Sequence, residues 1–361
     1  MDPDKSGTKL NSERRPSLLS GRLYRPSWID VFNQWVYGLP VNLWVFHVTL
    51  GIVLILVHLL FLWLEDSLLT GEVFPIIIFN SLAVPYLLIL IFLLDQQALT
   101  AFNTFRPVLG ISQEECDSYA FRLANMPFLA PLVAGILVML STILLPSITI
   151  SPTRYAVLEQ LPIFTVVYHI LDKSSAFLFG VFVYHTIHQL RLVNLINKRV
   201  ENINLFDLNP VQAFSRLTGA TAIGLLVFVY PWMLINPELL RDPILLAIVS
   251  AYTMIAITVF VWPIWGVHRI IEQEKLKVLH ETDRRYEMLI DQFNQHIDGG
   301  DYAASEMLHG TIASLDIQHK RIGAVATWPW QSETARIVLT AIALPILLMF
   351  LQYFILQALN S

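Results

Sequence analysis

Residues 43–64 read LWVFHVTLGIVLILVHLLFLWL, an apolar run with no Asp, Glu, Lys or Arg. A bilayer core of about 30 Å is crossed by about 20 such residues at about 1.5 Å each. Six further runs follow at Phe74–Leu94, Pro127–Pro146, Pro162–Tyr184, Gly219–Ile235, Pro243–Trp265 and Ile337–Ala358. The sequence therefore predicts an all-α, polytopic membrane helix bundle with seven transmembrane helices. The fourth run is interrupted by charge, and the fifth is short. Ahead of the fifth, Asp207 or Asn209 can cap a helix with Pro210 at its first position, so that helix is expected to run from the cytoplasm straight into the membrane.

Composition supports this class. Apolar residues make up 55% of the 361 residues and charged residues 14%, with a mean hydropathy of +0.58. Soluble domains carry about 45–50% and about 25%. The net charge of -5 gives no basis for a nucleic-acid partner. Cys116 is the sole cysteine, which excludes an intramolecular disulfide and a cysteine-based metal site. The N-terminal stretch with Arg14, Arg15, Arg22 and Arg25 does not read as a signal peptide, because the first apolar run is too long.

Lysine and arginine set the orientation. The N-terminal arm and the second, fourth and sixth loops hold 20 of the 23 basic residues, against two (Arg154 and Arg241) in the opposite loops. Lys173 lies within a span. By the positive-inside rule the N-terminus is cytoplasmic, the C-terminus is outside and the host is the cell membrane. Residues 1–27 form a basic arm, and 28–267 hold an interfacial helix (Trp28–Tyr37) and six spans. Residues 268–327 form a cytoplasmic helical hairpin, and 328–361 a re-entry segment and the seventh span. In the hairpin, Leu276, Leu279, Tyr286, Ile290, Phe293 and Ile297 recur at three- and four-residue spacing, Asp298-Gly299-Gly300-Asp301 breaks the helix, and Leu308, Ile312 and Leu315 face back.

The densest candidate chemistry is Tyr168-His169-Ile170-Leu171-Asp172-Lys173-Ser174-Ser175. Asp172 falls about 15 Å into the fourth span, where a charge costs roughly 2.5–3.5 kcal/mol. His169 shares a face with Asp172 and Lys173, and His58 and Asn80 on other spans are candidate partners in this polar cluster. It reads either as a polar, proton-responsive pathway or as a structural ion pair. His185 and His188, with His47 at matching depth, are candidates for a metal or haem site. Interfacial histidines explain them more simply, so no metal or cofactor is assigned. Asp95, Arg106, Glu114 and Glu115 read as a solvated loop. The sequence has no HExxH, Walker A or GxSxG motif, so no enzyme is expected.

In topology the chain resembles the insect odorant and gustatory receptor type of channel, with the N-terminus inside, short outer loops and a seventh helix preceded by a cytoplasmic helix. That family's seventh helix carries Thr-Tyr, five apolar residues and Gln-Phe. Here Gln352 follows an apolar run, with Pro345 and Ile346 in place of Thr-Tyr and Tyr353 in place of Phe. The resemblance implies a homo-oligomeric cation channel and makes Gln352 and Gln357 candidate pore-facing residues. Their alternative role is interhelical hydrogen bonding. Two functions follow: a channel or transporter-like protein, or a membrane scaffold or signalling subunit docking a cytoplasmic protein through the hairpin.

Overall fold

A computed structural model describes residues 23–65, 74–144, 158–200, 203–235 and 243–328, with isolated positions 336, 340 and 343. Among the described residues the fold is all-helical. The helices are α1 (Trp28–Tyr37), α2 (Leu43–Leu64), α3 (Phe74–Phe105), α4 (Gln113–Ala124), α5 (Leu129–Leu144), α6 (Pro162–Asn197), α7 (Asn209–Ile235), α8 (Pro243–Asp298) and α9 (Tyr302–Gly323). A single 3₁₀ turn, Arg106–Val108, follows α3. Four of them, α2, α3, α6 and α7, are long and apolar enough to cross a membrane, and α5 is a shorter apolar helix. The predicted seventh run, with Gln352 and Gln357, lies outside the described residues apart from positions 340 and 343.

The ends of α2 carry a membrane signature. Trp44 and Trp63 stand 57% and 58% exposed. Nineteen residues separate them, about 28 Å along a helix. Val48, Ile52, Leu56 and Leu60 are exposed between them. A helix that keeps apolar side chains outward and tryptophan at each end matches a hydrocarbon slab and its two interfaces.

Two helices outrun their apolar runs. Past Leu94, α3 continues to Phe105 because Ala98, Ala101, Phe102 and Phe105 keep one buried face. Asp95, expected in a solvated loop, is therefore helical and buried. Past Tyr184, α6 continues to Asn197 on an inward face of His185, Gln189, Leu192, Val193 and Ile196. In both, an all-round apolar segment passes into a one-sided amphipathic one, the pattern of a helix leaving lipid for a protein interface.

Close approach and capping hold the bundle together. Helices α5 and α6 meet through Gly135 and Gly180. A Cβ on Gly180 would stand 2.6 Å from the Ala134 carbonyl oxygen. Tyr86 Oη on α3 donates to Gly224 O on α7 at 2.8 Å. Just past the end of α2, Glu65 reaches the start of α6, its carboxylate accepting from Ile163 N (2.8 Å) and Phe164 N (3.0 Å). These are two of the orphan amides of a helix N-terminus, where negative charge also meets the positive end of the helix dipole. Glu65→Ala is expected to lower stability by about 1–2 kcal/mol, and Glu65→Gln to recover part of it. Thermal unfolding of the three proteins in one detergent checks this.

Gly299 and Gly300 separate α8 from α9, with Gly300 at φ +74°, and the Asp301 carboxylate accepts from Ala304 N at the start of α9. From there α9 runs back along α8: Lys275 Nζ donates to Gly323 O (2.6 Å) and Val325 O (2.9 Å), and His319 lies 3.1 Å from Asp283. Thr282 and Ser305 are buried and Leu279, Ile290 and Phe293 half-buried. Leu276, Tyr286 and Ile297, expected on the same face, are exposed.

Candidate functional site

The polar residues singled out in the sequence fall into separate places. Lys173 Nζ pairs with Asp172 Oδ2 at 2.8 Å and donates to Thr142 O at 3.2 Å. The residue four beyond Thr142 is Pro146, which has no N–H to donate, so Lys173 supplies a donor that position 146 cannot. His169 lies edge-on to Tyr168, the ring centroids 5.5 Å apart. His58 belongs to the α2–α3 contact instead, its Nδ1 lying 2.9 Å from Ser81 Oγ and 3.2 Å from Leu54 O. Asn80, beside Ser81, is buried. His47 Nδ1 faces Leu43 O within its own helix at 2.9 Å. No three His, Cys, Asp or Glu side chains among the described residues could hold one metal ion. The three histidines named for a metal are held by other partners.

A different polar centre is assembled where α1, α3, α4 and α6 meet. Asp95 on α3 and His185 on α6 are both buried, with His185 Nε2 2.8 Å from Asp95 Oδ1. That distance assigns the ring proton to Nε2, the nitrogen facing the carboxylate. One turn on, Gln189 Nε2 donates to the same Oδ1 at 3.0 Å and to Leu123 O at 3.1 Å. His188 Nε2 donates to Arg122 O at 3.0 Å. Arg122 and Leu123 close α4, so α6 supplies the donors that the end of α4 lacks. Around these bonds, His185 Nδ1 and Gln189 Oε1 are buried with no hydrogen-bond partner.

The fourth component comes from α1. Ser27 and Asp30 form a capping box: Asp30 N donates to Ser27 Oγ, and Asp30 Oδ2 accepts from Ser27 N (3.1 Å) and Ser27 Oγ (2.8 Å). The same oxygen accepts from Met126 N, in the α4–α5 connection, at 2.8 Å. Ser27 N donates to Met126 O at 2.9 Å, and Tyr24 Oη to Asn125 O at 2.6 Å. Thus α1 is fastened to that connection by its first turn. Burial, reinforced by the Asp95 carboxylate, pushes the Asp30 carboxyl up to about 7, against the Ser27 and Met126 donors that favour the anion. Burial likewise pushes the Tyr24 phenol up, with the Asp30 carboxylate adding to it.

Beside α1 a crevice of about 580 Å³ opens between α1, α3, α5 and α6, bounded by Trp28, Phe32, Leu88, Ile136, Lys173 and Phe177. No protein-family model, curated protein or solved structure matches the chain. The chemistry must therefore be taken from the residues themselves. A carboxylate, an imidazole and a second carboxyl, all buried, form a centre able to bind and yield a proton. Cys116, the one thiol, is buried in the apolar core.

Sequence reasoning missed Asp95 because it follows directly on an apolar run, where a span is expected to end. Asp30 was not singled out, because nothing in the sequence marks one carboxylate of a short interfacial helix as buried. A signal was present in His185 and Gln189, which lie four apart and so share a face, and which a longer fourth helix would have kept in register with the spans.

Proposed function

We propose that the chain is a multi-pass cell-membrane protein of the channel or transporter-like kind, whose ionisable centre is Asp95–His185–Gln189. The observation that carries this reading is a carboxylate bonded to an imidazole, both buried, on two helices long enough to cross a membrane. Paired ionisable residues buried where such helices leave their apolar runs are candidates for an ion or proton path. The proposal includes seven spans, a cytoplasmic N-terminus, an outer C-terminus and a cytoplasmic α8–α9 hairpin, supported by the distribution of lysine and arginine. It assigns no catalytic reaction and no cofactor. Its partners are the lipid bilayer and further copies of the chain, with no nucleic acid.

The test is reconstitution in liposomes with imposed proton, sodium and potassium gradients. Wild type is expected to carry a flux that Asp95→Asn lowers at least tenfold. Lys173→Met is expected to act through stability, because Lys173 pairs with Asp172 and ties α6 to the Thr142 carbonyl of α5. No flux under any gradient would overturn the reading.

A second reading is a membrane scaffold or signalling subunit that docks a cytoplasmic protein on the hairpin. It is favoured by one observation: Tyr286, Met288, Tyr302 and Met307 stand exposed on α8 and α9.

A further inference from the structure

We propose that Asp30, Asp95 and His185 form one proton-binding centre shared between α1 and the bundle, and that losing its proton loosens α1. This deepens the transport reading of the Asp95–His185 pair by naming the proton as its ligand. Its test reads α1 alone and needs no flux.

The geometry points to a proton held on one atom. Asp30 Oδ2 accepts three hydrogen bonds, while Oδ1 is buried and accepts none. An anion spread over both oxygens leaves Oδ1 uncompensated, whereas a proton from water on Oδ1 removes the charge and leaves all three bonds intact. The ionisable groups around Asp30 sharpen the need. Tyr24 ahead of α1, Asp95 on α3 and His185 on α6 interact with it, and beyond them Arg122 on α4 and Tyr184 and His188 on α6 surround Tyr24 and His185. Asp95 acts directly on Asp30, and Arg122 acts on Tyr24 and His188. His185 and Gln189 already serve Asp95 Oδ1. Two buried carboxylates thus repel one another, and a proton on Asp30 removes one of the two charges.

The same carboxyl fastens the helix. The bond from Met126 N to Asp30 Oδ2 joins α1 to the α4–α5 connection, together with Ser27 N to Met126 O and Tyr24 Oη to Asn125 O. Deprotonated Asp30 is repelled by Asp95 and starved of solvent where it sits, and both penalties vanish when α1 lifts away.

The direction with pH follows from linkage. Engaged, the carboxyl titrates near about 7; released into water it returns to its ordinary 3.8. Between those values engaged α1 holds a proton that released α1 lacks. Engagement therefore weakens about tenfold per unit of rising pH and levels off above about 7, about a thousandfold in all.

Hydrogen exchange of the Met126 and Ser27 amides, corrected for the intrinsic pH dependence of exchange, reports this opening constant for full-length protein in nanodiscs. The expected result is a fall in protection of two to three orders of magnitude from pH 4.5 to pH 7.5 and a plateau above it. Asp30→Asn is expected to abolish the dependence, and Asp95→Asn, which leaves the capping box intact, to narrow it. Protection that does not change with pH in wild type would overturn the proposal. So would a dependence that survives Asp30→Asn, or one that Asp95→Asn leaves unaltered. Flux lost with the latch intact would instead count against transport alone.

Discussion

His185→Ala is expected to lower the stability of the folded protein by about 3–5 kcal/mol, the range for breaking a buried pair by removing one partner. The imidazole is the closest donor to Asp95 Oδ1, at 2.8 Å. Its loss leaves a buried carboxylate with Gln189 as its remaining donor among the bonds described, and opens a cavity at a buried position. The diagnostic comparison is the double variant Asp95→Leu/His185→Leu. It removes both polar groups and refills the space, so it is expected to destabilise far less than His185→Ala. Chemical or thermal unfolding in a single detergent measures the set. A double variant as unstable as the single would show that the pair's worth lies in shape and not in charge.

Gly180→Leu is expected to have an effect of similar size for a different reason. Its Cβ would lie 2.6 Å from Ala134 O and 2.9 Å from Gly135 Cα. Both are backbone atoms of α5, so no rotamer change relieves the clash and the two helices must part. Parting them removes the Phe177 packing over Gly135 and draws Thr142 O away from Lys173. A loss of about 3 kcal/mol or more is expected, at the upper end of overpacking costs. Gly310→Ala in α9 is the control. Nothing stands within 4 Å of its added Cβ. There the gain in helix propensity alone should stabilise by about 0.5–1 kcal/mol. Thermal midpoints and the yield of monodisperse protein distinguish the two outcomes.

Much of the helical framework was legible in the sequence, because apolar runs report the period and length of a helix directly. The start of α1 at Trp28, the bounds of α2, the starts of α3 and α6 at Phe74 and Pro162, and the break at Gly299-Gly300 all stand where the residues placed them. The site was less legible. Intramembrane charge drew attention to Asp172 and Lys173, yet those two satisfy one another and the Thr142 carbonyl. Asp95 and His185 are ninety positions apart, and only the packing of α3 against α6 joins them. Asp30 enters through α1, whose docking by a capping box is a tertiary fact that no periodicity encodes. Hydropathy measures what a residue costs in lipid, and it is silent on which neighbour offsets that cost.

The polar side chains along α6 have a consequence for how the bundle can vary. Lys173 holds the Thr142 carbonyl of α5, while His188 and Gln189, about 22 Å further along at 1.5 Å per residue, hold the last carbonyls of α4. The interval between them works as a ruler that sets two neighbouring helices at a fixed height against α6. One residue inserted or deleted within it turns everything beyond by about 100°, taking the far donors off their carbonyls while the near one stays in place. The same change in the loops at either end of α6 would leave the ruler whole. Length variation in this architecture therefore belongs in its connections, and α6 is the element whose residue count is least free to drift.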